Sequence, residues 1–501
     1  MPEFIAPSQA AAKFLDGPHQ LLIGDRWVTG RSAPIAVDNP CREMKLTDVS
    51  AASTQDVDDA VRAARAALEG PWGRMSGRDR ACIMMRFADL LDQQAPLVAE
   101  VMALDGGQPL ASCLAVTRLL AVELMRYYSG WATKIAGDSF APSLGGTRAD
   151  MDCMVTTLRE PIGVVGAIVP WNAPAGMMAL KLGPALAAGC TVVLKTAELA
   201  PLTGEFFARL MLEAGAPPGT FNLLHGLGHE AGAAMAAHPG IDKITFTGSA
   251  AVGRQIVHAA LGNLKKVTLE LGGKSPVIAF PDADLNQLVP SAAMACFVGS
   301  GQACMAGTRL FVHDAIYEEV VAGVSDFADS LVLGDALSPD TALGSLISAR
   351  QRERVESYID IGLGEGARIA NNPQPWEGRG HFVAPVVFAD ATADMRIAQE
   401  EIFGPVLTAI RFSDEDGLLR DVNSTEYGLS GSVWTKNIQR ALRIARKVDS
   451  GQVGINVHAA VSPETPFGGN RQSGWGREFG EEGLAPYLKT KAISINLGQR
   501  A

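Results

Sequence analysis

Two residues of this 501-residue sequence have side chains and settings that suit covalent catalysis, and the first is Cys304. It lies in a glycine-rich stretch, 299–309, directly after the apolar stretch 292–298, so it can stand at a turn that opens into a cleft. A thiolate in such a position could attack an electrophilic substrate. Free cysteine is more often a small buried hydrophobic residue, which is how we interpret Cys296. Both interpretations of Cys304 stay open at this point.

The second residue is Glu270, an acid inside an apolar strand-like segment and next to the pair Gly272 and Gly273. Burial disfavours the charged form of a carboxylate and raises its pKa toward the range of a general base. The structural alternative is an ion pair with Lys274.

Two glycine turns could bind phosphate. Gly226, Gly228 and Gly232 follow a strand-like run, with the last spacing one residue longer than in the dinucleotide fingerprint, and the stretch 246–253 holds a second turn. Either could present backbone N–H groups and a helix N-terminus to a pyrophosphate, although each alone is more often a plain turn.

A metal site is not predicted. His225 and His229 stand four residues apart, a spacing that suits metal binding on a helix. Glycines at positions 226 and 228 interrupt this stretch, and no third ligand is evident.

The elements that must position these residues alternate between strand and helix. Ser53–Asp56 resembles a capping box that starts a helix, and a second long helix is expected over 80–104. Helical segments are expected at 180–188 and 203–214. Strand-like runs occur at 163–169, 190–194, 221–224, 243–246, 275–280, 310–313, 406–410 and 431–434. This alternation predicts parallel βαβ units and two α/β domains that join near the Gly272–Gly273 pair.

Composition excludes several classes of protein. Hydrophobic residues make up 47% and charged residues 19%, which argues against disorder, and the net charge of −11 argues against nucleic-acid or anionic-membrane partners. The seven cysteines are odd in number and form no CxxC pair, so we expect a reducing compartment. With no evident signal peptide or membrane span, the expected location is the cytoplasm.

Several motifs in one order resemble the aldehyde dehydrogenase superfamily. Glu270–Lys274 (ELGGK) and Gly301–Cys304 (GQAC) resemble its signature pair, and their separation of 34 residues also fits. Further matches between about residues 20 and 495 are PWN at 170–172, KTAE at 195–198, FTGS at 246–249, EIFGPV at 401–406, GIN at 454–456, PFGG at 466–469 and GWGRE at 474–478.

The resemblance implies a modified Rossmann-type fold for binding NAD. It places Gly248 and Ser249 under the pyrophosphate and Lys195 and Glu198 at the adenosine ribose. A carboxylate at that ribose accepts a bond from the 2′-hydroxyl and repels a 2′-phosphate, so NAD is favoured over NADP. The remaining residues implied at the cofactor are Ile168, Trp171, Gln351, Glu401 and Phe403.

The resemblance also implies catalytic roles. Cys304 would be the nucleophile, Asn172 would stabilise the oxyanion, and Glu270 would activate water to hydrolyse a thioester. Lys181 and Glu478 resemble a proton-relay pair behind Glu270. The product would be a carboxylic acid.

The expected substrate is a hydrophobic aldehyde. Leu180 stands where semialdehyde enzymes of the family commonly carry an arginine, and aliphatic or methionine residues stand where many relatives have an aromatic wall. The resulting pocket is expected to take medium or long aliphatic, terpenoid-like or aromatic aldehydes. Its predicted members are Ala173, Met177, Leu180, Val298, Met305, Val461 and Phe467.

The family pattern divides the chain into three parts. Residues 1–136 and 161–272 form the expected NAD-binding domain, 273–475 the catalytic α/β domain, and 137–160 with 485–501 a small β flap for assembly into a homo-dimer or tetramer. Two alternatives stay open. A CoA-acylating relative would usually lack the acid at position 270, and a non-catalytic structural relative would not need Cys304, Glu270 and Asn172.

Overall fold

The structure is a computed structural model, and it describes residues 4–143 and 151–499. In these ranges two large mixed sheets, each built mainly from parallel strands, are covered by helices. No helix of the described ranges has the length and apolar character needed to cross a membrane.

The strands are short, as expected for buried parallel sheets. In chain order they are β1 (Leu21–Ile23), β2 (Arg26–Val28), β3 (Ser32–Asn39), β4 (Met44–Ala51), β5 (Ser139–Phe140), β6 (Met151–Pro161), β7 (Val164–Ile168), β8 (Thr191–Lys195), β9 (Phe221–Leu224), β10 (Lys243–Thr247), β11 (Lys266–Glu270), β12 (Pro276–Ala279), β13 (Arg309–His313), β14 (Arg368–Ile369), β15 (Val386–Ala391), β16 (Val406–Phe412), β17 (Tyr427–Gly428), β18 (Ser430–Trp434), β19 (Gln452–Ile455), β20 (Asn470–Arg471), β21 (Gly474–Trp475) and β22 (Leu488–Gln499).

The helices include the four that the sequence predicts, which correspond to α2, α3, α6 and α7. In chain order the helices are α1 (Gln9–Leu15), α2 (Thr54–Glu69), α3 (Gly77–Gly106), α4 (Leu110–Ala115), α5 (Glu123–Ser129), α6 (Pro174–Ala188), α7 (Thr203–Glu213), α8 (Ala233–Ala237), α9 (Ala250–Ala260), α10 (Leu285–Phe297), α11 (Tyr317–Ser330), α12 (Ala349–Gly364), α13 (Arg396–Gln399), α14 (Glu415–Val422), α15 (Ile438–Ala445) and α16 (Gly480–Leu484). Residues Val116–Val122 and Gly228–Gly232 are π-helical, and short 3₁₀ turns occupy Val298–Gly301, Asp314–Ile316 and Ala485–Tyr487.

The first large sheet has the strand order β2-β1-β9-β8-β7-β10-β11-β21. Its central strands β9, β8, β7, β10 and β11 are parallel, while β1, β2 and β21 are antiparallel additions at the edges. Strands β7, β8, β9 and β10 are buried along their whole length, which explains the mainly apolar runs of the first three; β10 is buried although Lys243, Thr245 and Thr247 alternate with its apolar residues.

The second large sheet has the order β14-β15-β16-β13-β12-β18-β19 and is parallel except at β14. A smaller sheet pairs β22 with β6 over almost the whole length of both strands and adds β5 at its edge. Part of the predicted flap, residues 144–150, lies outside the described residues. The capping box at Ser53 and Asp56 is present and starts α2.

Candidate active site

The candidate residues gather where the two large sheets face each other. In the first sheet they lie at the carboxyl ends of strands: Ile168 ends β7, Lys195 ends β8 and Glu270 ends β11, while Gly248 follows β10. In the second sheet they precede strands. The ELGGK turn leads into β12, Cys304 into β13 and Glu401 into β16. The site therefore lies between the carboxyl edge of one sheet and the amino edge of the other.

A strained turn places Cys304 at this junction. Gly299, Ser300 and Gly301 have φ values of 59°, 57° and 72°, so three successive residues adopt the left-handed conformation after α10. A Cβ at Gly301 would overlap the backbone of Gly404, and the Ser300 hydroxyl donates to the Gly344 carbonyl at 2.7 Å. Because a non-glycine residue rarely adopts positive φ, these contacts are what hold the turn in place.

The structure separates the two candidate cysteines by their exposure. Cys304 is half-buried, whereas Cys296 is fully buried in the core beneath the second sheet. Burial raises the pKa of the Cys304 thiol to about 12, and the carboxylates of Glu270 and Glu401 add to the shift. The thiol is therefore protonated at neutral pH in this state, and a base must take its proton before the sulfur can attack.

Asn172 is held against the segment that carries Cys304. Its side-chain amide donates to the Gln302 carbonyl at 2.9 Å, and its own backbone carbonyl accepts from the Gln108 side chain at 2.5 Å. The Gln302 side chain is buried and accepts from the Ile347 amide at 3.0 Å. Asn172 and the residues before Cys304 are thus tied into one unit.

Glu270 is buried, and neither carboxylate oxygen has a hydrogen-bond partner among the described residues. Burial raises the pKa of Glu270 well above its ordinary value; Glu478 raises it further and Lys181 opposes the shift. The alternative of an ion pair with Lys274 is wrong, because the Lys274 amine is likewise buried without a partner in the described ranges. The charged groups that act on Lys274 are Arg309, Glu401 and Glu400.

Behind Glu270 lies a buried polar cluster. Lys181 and Glu478 form an ion pair, and the Thr245 hydroxyl donates to the same Glu478 oxygen at 3.3 Å. In the register of β10 and β11, Thr245 pairs with Thr268 and Thr247 with Glu270. These polar residues therefore share one face of the sheet.

The glycine pair of the ELGGK turn permits two close approaches. A Cβ at Gly272 would overlap the Glu401 carboxylate, which accepts a hydrogen bond from the Gly273 amide at 3.0 Å. A Cβ at Gly273 would lie 2.5 Å from the Cys304 carbonyl oxygen. Any larger residue at either position would displace Glu401 or the segment that carries the thiol.

One end of the site has the features of a nucleotide cradle. Lys195 is buried and donates to the half-buried Glu198 at 3.3 Å. Gly248 lies against the Phe246 ring, which a Cβ there would overlap, and Ser249 caps the N-terminus of α9 by accepting from Val252 at 3.4 Å. A glycine turn, a helix N-terminus and a polar pair suited to a ribose fit the NAD group that the motifs imply.

The other residues implied at the cofactor lie at the same junction. Trp171 and Phe403 meet edge to face, with ring centroids 5.4 Å apart, and Phe403 has a φ of 61°. Gln351 donates to the carbonyls of Ile402 at 3.2 Å and Phe403 at 2.9 Å. Gln351 thus holds the segment that carries Phe403 and Glu401.

Most of the predicted pocket residues belong to one hydrophobic cluster. Leu180 and Phe467 are buried in it, and the half-buried members packed against it are Met177, Cys304, Met305 and Val461. Ala173 is the residue before α6, and Val298 is 42% exposed just after α10. The nucleophile candidate therefore borders an apolar surface.

Sequence reasoning missed several residues that shape the site: Gln108, Gln302, Thr245, Lys243 and His458. A signal was present for two of them. Lys243 and Thr245 alternate with apolar residues in β10, although that strand is buried along its whole length. Burial lowers the pKa of Lys243 to about 7. For Gln108, Gln302 and His458 the partners are distant in sequence.

Comparison with known proteins matches the geometry. The model of the aldehyde dehydrogenase family matches residues 27–493. An aldehyde dehydrogenase of Emericella nidulans is 42% identical over 484 residues, covering 96% of each chain, and aldehyde dehydrogenase 1A1 of Ovis aries is 40% identical, covering 96% of this chain and 95% of the relative. The structure of the NAD+ complex of aldehyde dehydrogenase from Bacillus cereus superposes with a TM-score of 0.95 at 40% identity, covering 99% of this chain and all of that one.

These matches confirm the predicted fold class, a Rossmann-type α/β domain with a second α/β domain. A likeness that spans nearly the whole of both chains at about 40% identity shows that this chain belongs to the aldehyde dehydrogenase family, the NAD(P)-dependent oxidoreductases of aldehydes.

Proposed function

We propose that this protein oxidises hydrophobic aldehydes to carboxylic acids with NAD, through a covalent intermediate on Cys304. The observation that carries the proposal is the convergence of Cys304, Glu270 and Asn172 from separate elements on one junction. The reaction class follows from the family, whereas the residue roles and the substrate are our inference.

The first step is attack of the Cys304 sulfur on the aldehyde carbon. The thiol proton passes to a base, for which the buried and unpartnered Glu270 carboxylate is suited, and the carbonyl π electrons move onto oxygen to give a thiohemiacetal oxyanion. The Asn172 amide and the Cys304 backbone N–H stabilise that charge, and loss of one such donor costs about 10²–10³ in rate. The Gln302 and Gln108 contacts hold Asn172 for this task.

The second step converts the thiohemiacetal to a thioester, and the third hydrolyses it. Bound NAD supplies the hydride acceptor, and Lys195, Glu198, Gly248 and Glu401 are the residues that would hold it. Glu270 then takes a proton from water, whose oxygen attacks the thioester carbon, and the C–S bond breaks to release the acid and the Cys304 thiolate. We propose that the Lys181–Glu478 pair passes that proton onward; the ion pair and its electrostatic effect on the pKa of Glu270 support this role.

The test of the residue roles is a burst experiment. Glu270→Gln should still release close to one NADH per active site, in a burst that is slower because the thiol has lost its proposed base. It should then turn over far more slowly still, because hydrolysis of the thioester is blocked. Cys304→Ala should abolish the burst, and Cys82→Ala, at an exposed thiol, is the matched control that should behave as wild type. Normal steady-state turnover by Glu270→Gln would remove Glu270 from its role. NADH formation without added CoA distinguishes hydrolysis from acyl transfer to CoA.

The substrate proposal rests on the apolar cluster beside Cys304. Met177 and Met305 are flexible, and Val461 is aliphatic. Phe467 is the one aromatic residue among the predicted pocket residues, and its ring centroid lies 6.0 Å from that of Phe479. With Leu180 buried in the same cluster, no cation stands among these predicted residues to pair with a second carboxylate of a substrate. Such a surface favours medium or long aliphatic, terpenoid-like or aromatic aldehydes.

A panel of aldehydes tests this preference. The value of kcat/KM should be higher for octanal and citral than for acetaldehyde and succinic semialdehyde, with NAD preferred over NADP because of the Glu198 carboxylate. Val461→Phe should lower kcat/KM for octanal more than for acetaldehyde, because a ring narrows the pocket. A preference for succinic semialdehyde would refute the proposal.

We propose a homo-oligomer in the cytoplasm as the working form. The support for assembly is the β22–β6 sheet, whose Leu158, Ile493, Ile495 and Leu497 side chains are exposed in the single chain. The support for the compartment is that all seven cysteines are free, including the proposed nucleophile, which must stay reduced to react. Sedimentation of the purified protein would distinguish dimer, tetramer and monomer.

A further inference from the structure

His458 lies in a loop that adopts positive φ at two residues although neither is glycine. The loop follows β19, and Asn456 and Ala459, on either side of His458, have φ values of 53° and 50°. The Asn456 side chain accepts from the Thr435 amide at 3.0 Å and donates to the Thr435 carbonyl at 3.1 Å, and Gln452 donates to the Ala460 carbonyl at 2.8 Å. Two left-handed non-glycine residues are costly, so the surrounding contacts must over-determine this conformation.

The imidazole of His458 bridges two elements of the catalytic domain. Its Nδ1 lies 2.9 Å from the Ser432 hydroxyl in β18, and its Nε2 lies 2.9 Å from the Met305 carbonyl oxygen. The Trp434 indole donates to the same Ser432 oxygen at 3.2 Å. Ser432 and Trp434 are buried, and His458 is half-buried.

Burial lowers the pKa of His458, so the imidazole is neutral, and these hydrogen bonds then permit one self-consistent arrangement. A carbonyl only accepts, so Nε2 carries the hydrogen and donates to Met305. An indole only donates, so the Ser432 oxygen accepts from Trp434 and gives its own hydrogen to Nδ1 of His458. His458 is therefore a neutral imidazole with the hydrogen on Nε2, oriented by Ser432 and hydrogen-bonded to the carbonyl of Met305, the residue that follows Cys304.

This contact completes the support of the nucleophile segment. Gln302 is held by Asn172, the Cys304 carbonyl packs on Gly273, and Met305 is held by His458. The ring also packs against Gly307, where a Cβ would lie 3.1 Å from His458 Cε1. Of these three supports, the one at Met305 is the only one supplied by an imidazole side chain.

We propose that His458 is a positioning residue for Cys304: by fixing the Met305 carbonyl it sets the direction of the Cys304 side chain and of the backbone N–H that faces the oxyanion. This role rests on the proposed function, in which Cys304 is the nucleophile. A displacement of about 1 Å in such a group can lower the rate about 10²-fold.

The test compares two substitutions at this position. His458→Phe keeps a ring of similar shape but has no hydrogen to donate, whereas His458→Gln keeps an N–H that can reach the Met305 carbonyl. In the burst phase of NADH formation, His458→Phe should be slower by about 10–100-fold, with KM for NAD within about twofold of wild type. His458→Gln should recover most of the burst rate. His258→Phe, at an exposed histidine in the last turn of α9, is the matched control.

Two results would overturn the proposal. One is a wild-type burst rate in His458→Phe; the other is a parallel loss of NAD affinity and burst rate that His458→Gln does not restore, which is the outcome of a purely structural role. If His458→Phe does not fold, Ser432→Ala tests the same series of hydrogen bonds from Ser432 through His458 to Met305. An unchanged burst rate in that variant counts against the proposal. Cys304→Ala is measured alongside. If Cys304→Ala turns over substrate, the proposed function itself is refuted. If Cys304→Ala is inactive and His458→Phe has a wild-type burst rate, only the positioning role is refuted.

Discussion

The buried charges behind Glu270 make a signed prediction about pH dependence. Lys181 lowers the pKa of Glu270 and Glu478 raises it, on top of the larger increase from burial. Glu270 must be deprotonated to activate water, so hydrolysis of the thioester is lost as the pH falls through its pKa. Lys181→Met should therefore move the acid limb of the hydrolysis rate to higher pH, and Glu478→Gln should move it to lower pH.

The size of these shifts follows from Coulomb's law. For a separation of about 6–8 Å and an effective dielectric constant of about 20, Coulomb's law gives about 2–3 kcal/mol per unit charge, or about 1.5–2 pKa units. Both groups are buried, so salt screens this interaction little. Lys181→Met also leaves the Glu478 carboxylate with Thr245 as its remaining hydrogen-bond partner, and breaking a buried pair in this way costs about 3–5 kcal/mol of stability.

The assay is the decay of the acyl-enzyme. The enzyme is loaded with octanal and NAD at a series of pH values between about 5.5 and 9.5, a range over which it must stay folded. The reaction is quenched at set times, and the acylated fraction is measured by intact mass. The double variant Lys181→Met/Glu478→Gln is the matched control, because removing both charges should return the limb close to wild type. Shifts of the same sign in the two single variants would refute the electrostatic reasoning, as would a double variant displaced as far as either single one.

Two further predictions concern the cradle and the oxyanion support. Gly248→Ala places a methyl group into the Phe246 ring and should raise KM for NAD about tenfold, an effect of about 1.4 kcal/mol, with kcat little changed. Gly262→Ala is the control, because its Cβ would have no neighbour closer than 3.7 Å among the described residues, and it should leave KM for NAD unaltered in the same steady-state assay. Gln108→Ala removes the hydrogen bond to the Asn172 backbone carbonyl. It should slow the NADH burst by about 2–10-fold, which corresponds to the free energy of one ordinary hydrogen bond. An unchanged burst rate would show that the contact with Gln302 alone suffices to hold Asn172.

Local patterns predicted most of the central strands of the two large sheets and four of the helices. The apolar runs that predict β7, β8, β9 and β10 are strands buried along their length, and the alternation with helices predicts the parallel pairing. These signals are local because a strand buried on both faces is mainly apolar at successive residues, with β10 and its buried Lys243 and Thr245 as the exception. The strand boundaries differ from prediction by a residue or two, as at Thr191–Lys195, whereas α6 begins six residues before the predicted segment 180–188.

The choice among chemical candidates was less local. The motifs point to Cys304 and Glu270, but an ion pair between Glu270 and Lys274 was an equally simple interpretation of two charges four residues apart. The structure excludes it because the chain leaves one sheet at Glu270 and enters the other after Lys274, so the two side chains have different charged neighbours. The glycine pair between them makes room for Glu401, about 130 residues further along the chain.

The sequence by itself determined the types of residue, the alternation of elements and, through its motifs, the family. Only the tertiary structure decided which side chains support the reacting groups. Gln108 on Asn172, Thr245 on Glu478 and His458 on Met305 join residues separated by 64, 233 and 153 positions. Hydrogen bonds across such separations depend on how two sheets face each other, and no periodicity along the chain encodes that arrangement.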